Sequence, residues 1–434
     1  VVGSFSLGLA LSAALAAQPP AHLGDQFQVN TYTTNEQVVP SVGVAPDGSF
    51  VVVWESNGSP SSDTDHTSIQ ARRIAADGTP QGSQFQVNTE TTGYQRNGRV
   101  AVDLTGTFVV VWEDRRAGRN IAAQRFAADG SPAGAQFTVN SYTTTEQYKP
   151  SVACTPSGDF VVVWHSWGSP GSDQSASSIQ ARRFAANGTP LGDQFQVNDY
   201  TTGVQGTPRV AADPGDGFVV VWTSMGSFGS DADNSSVQGR RFGADGSPIG
   251  GQFQVNSWTT GQQNQVDVAA RPDGSFLVTW TSIGQPFDPF HNIFAQRFAP
   301  DGTALGGELL VNTYTTHDQT VSSVAATPSG FVVTWQSYGS FGPDQSGSVE
   351  AQMLDAQGNL DGGEFQVNTY STSNQKWPSV GVAPNGVATI VWQSNGSAGT
   401  DQSATSIQGQ RLDLALFRDG FESGDTSAWS GTLP

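Results

Sequence analysis

The chain has 434 residues, of which only 13% are charged, and a formal net charge of −19. So acidic a composition argues against a nucleic-acid partner, whose phosphates call for a basic surface; lysine occurs only as Lys149 and Lys376. The single cysteine, Cys154, excludes an intrachain disulfide, and 51 glycines among Val-, Thr-, Phe- and Trp-rich runs point to an all-β protein.

The first segment, Val1 to Ala17, is small and apolar and carries a small-x-small pattern at Ala14-Leu15-Ala16. It predicts a signal peptide over 1–17 and a linker over 18–23, with no membrane span once the signal is removed, because the run is shorter than the roughly 20 residues a span needs.

From residue 24 the chain repeats itself. The FQVN signature recurs at Phe27, Phe85, Phe137, Phe195, Phe253 and Phe365, with Leu309 at the sixth place, at spacings of 58, 52, 58, 58, 56 and 56 residues. The tryptophan closing FVVVW recurs as Trp54, Trp112, Trp164, Trp222, Trp280, Trp335 and Trp392. Both landmarks count seven copies.

Each copy offers four strands, A to D. In the first, Ser41 to Ala45 is A, Phe50 to Trp54 is B, Ser68 to Ile74 is C and Phe85 to Asn88 is D, with Asp-Gly turns between A and B and between C and D. Strand B is apolar on both faces, so it lies between layers, whereas D alternates as a half-exposed outer strand does. Strand A carries Val followed by Gly or Ala in every copy, which suits strands crowded at an axis. These patterns predict a seven-bladed β-propeller of four-stranded blades over 24–412. A strand D, Phe27 to Asn30, precedes the first A, and the last copy ends after C, so the N-terminal strand is expected to complete the last blade. A tail over 413–434 follows.

The repeat FQVNTYTTNEQVVPSVGVAPDGSFVVVWES with SIQARRIAADGTPQG resembles a tandem repeat of large secreted bacterial proteins, some of which carry calcium-binding repeats. The tail, Asp419-Gly420-Phe421-Glu422-Ser423-Gly424-Asp425 through Trp429-Ser430, resembles a C-terminal segment of secreted Gram-negative proteins. The resemblance implies export to the medium, cell surface or periplasm of a Gram-negative bacterium. It implies no defined activity. The sialidase Asp-box, S-x-D-x-G-x-x-W, is not matched: after Asp47-Gly48 the tryptophan, Trp54, falls too far along.

Residues present in all seven copies are assigned to folding. They are the glutamine before strand A (Gln37 and its six equivalents) and the strand D asparagine (Asn30 and its equivalents), while the strand C arginines such as Arg73 and Arg125 are read as solvated or inter-blade charges. Strand direction puts the long B-to-C and D-to-A loops on one face, where a ligand is expected. Two sets stand out there. Arg96, Arg99, Arg115, Arg116 and Arg119 cluster in the second repeat and form either an anion-binding patch or pairs with Glu113 and Asp114. Asp63, Asp173, Asp231, Asp344 and Asp401 recur in B-to-C loops and either ligate calcium or close Asx-turns. Calcium is thus the one cofactor considered. His66, His165, His291 and His317 stand in separate repeats without zinc-site spacing, and Cys154 takes a core position.

No nucleophile elbow, phosphate loop or dinucleotide fingerprint appears. The leading expectation is therefore a non-catalytic binding protein, not an enzyme, whose loop face meets a glycan or protein at the cell surface. The alternatives are a propeller hydrolase or lyase acting on polysaccharide, and a structural module of an envelope or adhesion assembly.

Overall fold

The computed structural model describes residues 19–414 except 60–62, 64, 117, 174, 232, 285–288, 340–345, 398 and 402–403. The expected signal peptide, the tail from residue 415 and Asp344 lie outside the described residues.

The fold is a seven-bladed β-propeller. Each blade is an antiparallel meander in the order A-B-C-D from the axis outward. Blade 1 consists of Gln37–Val44, Phe50–Asn57, Thr67–Ile74 and Phe85–Gln86. Inner strands of successive blades touch all the way round, blade 7 meeting blade 1.

The apolar core lies between blades rather than within them. Val51 and Val53 of blade 1 pack with Val100, Phe108, Val110 and Trp112 of blade 2. The other face of the same strand, Phe50, Val52 and Trp54, packs with Val391 and Ile407 of blade 7. This explains why strand B is apolar on both faces: each burial of a Val or Phe contributes about 1.5–3 kcal/mol and links two blades. The strand A glycines mark the tightest approaches. A Cβ on Gly43 would lie 2.7 Å from Val102, and one on Gly381 2.6 Å from Val44.

The invariant polar residues satisfy backbone groups and connect blades. The strand D asparagine accepts from a strand C N–H in every blade, as Ile69 N to Asn88 Oδ1 at 2.8 Å, and donates to the carbonyl of the D-to-A loop. The glutamine before strand A accepts from the buried indole, Trp54 Nε1 to Gln37 Oε1 at 2.9 Å, while its amide donates to Thr34 O. Strand C arginines bridge blades: Arg73 Nη1 donates to Asp129 O at 2.6 Å, and Arg125 Nη1 to Asn187 O at 2.7 Å.

Closure follows the predicted route and reaches further. Phe27 and Gln28 pair with Gly409 and Gln408, and Val29 N donates to Ile407 O at 2.8 Å. Ala21–His22, in the segment read as a linker, also pairs with Asp413 and Leu412. Gln26 Oε1 accepts from Thr369 N and Tyr370 N, and Arg411 donates to Ala76 O, so the same clasps that join other blades join the chain's ends.

Strand A differs from its expected extent. It starts at Gln37 rather than Ser41 and runs through Pro40. A bulge makes this possible: pairing with strand B skips from Val38 to Ser41, so Pro40 has no ladder N–H to supply. The same skip occurs in all seven blades.

Deleting residues 19–30 removes the outer strand of blade 7 and uncovers Ile407 and Leu412. The melting temperature is expected to fall by on the order of 10 °C, read by thermal denaturation of the full chain beside the deletion. An unchanged melt would contradict this closure.

Candidate functional site

At each bulge one residue takes a left-handed backbone: Val39, Asn97, Lys149, Thr207, Gln265, Val321 and Trp377, with φ between 46° and 55°. Such a φ is costly for β-branched Val39, Thr207 and Val321, and it recurs with the skipped register in each blade. These seven residues ring the mouth of an axial cavity of about 490 Å³ that opens among the long loops. Unlike the glutamine two residues earlier, they differ from blade to blade.

A second ring lies two residues deeper: Ser41, Arg99, Ser151, Arg209, Asp267, Ser323 and Ser379, all on the cavity wall. Serine has a structural use here. Its hydroxyl accepts from a strand A N–H of the next blade, as Val100 N to Ser41 Oγ at 3.4 Å and Val42 N to Ser379 Oγ at 3.2 Å. Asp267 keeps that link, accepting from Val324 N at 3.0 Å. Arg99 and Arg209 cannot, since a guanidinium has no acceptor. The repeat therefore gives up a contact between blades to set two cations at the axis.

Arg99, Lys149 and Arg209 come from three consecutive blades, and Asp267 from the next. Arg209 Nε lies 3.7 Å from Asp267 Oδ1. Burial first, and then the Arg209 guanidinium, pushes Arg99 down to about 9. Burial and then Arg209 also lower Lys149, with Glu113 opposing. Burial raises Asp267 above the usual carboxyl range, with Arg209 and the N–H groups of Val324 and Val268 opposing it. The arrangement concentrates positive charge and places beside it one buried carboxyl, held above the usual range.

Two glutamates stand behind the wall. Glu113 accepts from Asn97 Nδ2 at 2.7 Å, Lys149 N at 2.8 Å and Arg115 Nη2 at 2.6 Å. Glu55 accepts from Asn97 N at 3.4 Å and faces Arg96 Nε at 3.4 Å. Burial pushes Glu55 up to about 7, against Arg96. His165 is pushed down to about 4 by burial and Lys149, and burial raises the Cys154 thiol to about 12, leaving both neutral near pH 7.

Of the five arginines singled out from sequence, Arg99 alone lines the axial cavity. Arg115 pairs with Glu113, Arg116 with Asp114 and Glu90 at 2.7 and 2.8 Å, Arg119 with Glu146 at 3.5 Å, and Arg96 stacks over Tyr94. The loop aspartates are spread over separate blades. Asp63, Asp173, Asp231 and Asp401 each accept from a strand D asparagine, Asn88, Asn198, Asn256 and Asn30, at 2.7–2.8 Å. In blades 2 and 5, Asn120 and Asn292 take the same place toward Asn140 and Asn312. Among the described residues, no three His, Cys, Asp or Glu side chains gather as a metal site would need.

Lys149, Arg209 and Asp267 escaped the sequence reading. The signal was present: at the second ring, four copies carry Ser and three do not. A filter that sets invariant positions aside as structural leaves these departures as the informative ones.

No family model matches the chain, and no curated protein does. Among solved structures it is similar to a Dyadobacter fermentans protein of unknown function, at 10% identity and TM-score 0.50, covering 90% of this chain and 98% of that one. It is also similar to an α-L-arabinanase of Penicillium chrysogenum in complex with arabinobiose, at 12% identity and TM-score 0.50, covering 90% and 99%. An α-L-arabinofuranosidase of Fusarium graminearum follows at 12% identity and TM-score 0.49, covering 91% and 99%. At these identities the likeness is one of fold. The expectation of a non-catalytic binding protein, not an enzyme, is corrected to this extent: the named solved propellers of this fold favour the alternative of a polysaccharide-acting propeller over it. The matching propellers include glycan-acting enzymes, and the axial wall carries charges of both signs from different blades, which a purely structural repeat has no reason to place there.

Glu55 offers a check on the electrostatics. Its carboxyl keeps a proton in the folded protein up to about pH 7, against an ordinary value of 4.5. The stability this supplies is complete below pH 4.5 and is lost as pH rises through about 7. Glu55→Gln cannot ionise, so it should gain on the parent over that window by up to about 3 kcal/mol. Urea denaturation at pH 4.5 and 7.5 reads the difference; a gap that does not change with pH would contradict it.

Proposed function

We propose that this chain is an exported glycan-acting enzyme, a hydrolase or lyase that cleaves polysaccharide at the axial cavity. The observation that carries the reading is the second ring: where the repeat calls for serine, Arg99, Arg209 and Asp267 face the cavity instead. Trp377, 41% exposed at the mouth, offers an aromatic face on which a sugar ring can stack. Asp267 is the carboxyl we assign to proton transfer, since it lines the cavity beside Arg209 and burial shifts its titration upward. Arg209 fixes its orientation and would stabilise its charged form. Asn97 and Gln265 supply neutral donors and acceptors for hydroxyl groups. The apolar start and the secretion-type tail read from the sequence support export.

Incubating the full chain with arabinan, pectate, alginate and sulfated galactan tests this. Hydrolysis would release reducing ends, and elimination would release unsaturated uronides that absorb in the ultraviolet. Cleavage of at least one polymer is expected, with Asp267→Asn lowering the rate at least ~100-fold. No cleavage of any of them, or a full rate in Asp267→Asn, would contradict the reading.

A further inference from the structure

Three other features carry less than the axial cations. The exposed apolar side chains Trp167, Met225 and Phe228 sit on the loop face with nothing to say what covers them. Cys154 is buried and inert. The cavity between Asp159, Arg183 and Asp216 lies on the turn face, where Arg183 already serves the blade interface.

We infer that the axial cavity selects an anionic saccharide, holding the oxyanion of a uronate or sulfate ester between Arg99, Lys149 and Arg209. This rests on the reading of the cavity as the glycan site. Several observations converge on it. The chain has 19 basic residues against 38 acidic ones, yet three from consecutive blades share one cavity. They crowd closely enough that each of Arg99 and Lys149 is lowered by Arg209. Three like charges held together with a single carboxyl among them are costly, and an anion between them reduces that cost.

The groups that could neutralise them internally are already engaged. Asp267 pairs with Arg209. Glu113 is held by Arg115, by Asn97 and by the Lys149 backbone. Among the described residues, Arg99 and Lys149 form no ion pair; Arg99 donates to Gly98 O, 3.0 Å away. Two guanidinium forks and one ammonium match an oxyanion in geometry as well as charge. The acidic exterior does not defeat this. At physiological salt a surface charge is screened over ~8 Å, whereas Arg99 and Arg209, half-buried on the cavity wall, are screened less.

Calorimetric titration of the full chain with a galacturonate oligosaccharide, its methyl ester and a sulfated galactan oligosaccharide isolates the charge. The acid is expected to bind at least tenfold tighter than the ester, more weakly as salt rises, and the double variant Arg99→Gln/Arg209→Gln is expected to lose the preference while melting near the parent. Should that variant not fold, competition on the parent chain between free galacturonate and its methyl ester gives the same readout. Preference for the sulfated ligand over the uronate also supports the oxyanion site and names the sulfate ester as its source. Equal affinity for acid and ester with no preference for the sulfated ligand, or binding of none of the three, overturns the proposal. Acid-selective binding without cleavage would remove the catalytic reading and leave this one standing. Cleavage of a neutral polysaccharide with no preference for acid would do the reverse.

Discussion

Seven sheets share an axis here because each presents apolar side chains to both neighbours, and the first strand completes the last sheet. The site depends on that geometry. Strand B supplies the two-faced packing, with Val51 and Val53 against blade 2 and Phe50, Val52 and Trp54 against blade 7. The seam between Phe27–Gln28 and Gly409–Gln408 turns the row of sheets into a ring. Without it, Arg99, Arg209 and Asp267, which are 110 and 58 residues apart along the chain, would have no reason to face one another.

The ring also explains where variation is tolerated. Asn88, Gln37 and their equivalents each complete hydrogen bonds that the backbone of a neighbouring strand or loop requires, and they recur, as does the buried tryptophan. The bulge on strand A exempts two positions from that demand. Its left-handed residue projects into the mouth, and its own N–H is met by a side chain of the preceding blade, Glu55 for Asn97 and Glu113 for Lys149. Seven copies of a scaffold thus carry a wall whose side chains vary round the ring, only blades 1 and 6 repeating the same pair, Val39 with Ser41 and Val321 with Ser323.

The sequence made the scaffold legible because repetition multiplies the signal. Spacing of FQVN and FVVVW counted the blades, and the missing last strand D pointed to the seam. The loop aspartates and four of the five arginines of blade 2 were legible as residues, and their roles only as one of two alternatives each. Asp173 lies against Asn198, and Arg115 against Glu113, through contacts that depend on how neighbouring loops settle. The bulge was not legible. Pro40 argues against a strand, and only the skipped register between Val38 and Ser41 shows how the strand admits it. Since the bulge brings Lys149 to the mouth, that lysine had no visible place in the site either.

The central claim is that the axial cations hold the charged group of a sugar. A crystal structure of the full chain with a bound galacturonate oligosaccharide tests it most directly. The account predicts an oxyanion within hydrogen-bond reach of Arg99 and Arg209, with the sugar ring beneath the mouth at Trp377. An oligosaccharide bound only on the outer loops, with the axial cavity holding no part of it, would contradict the account.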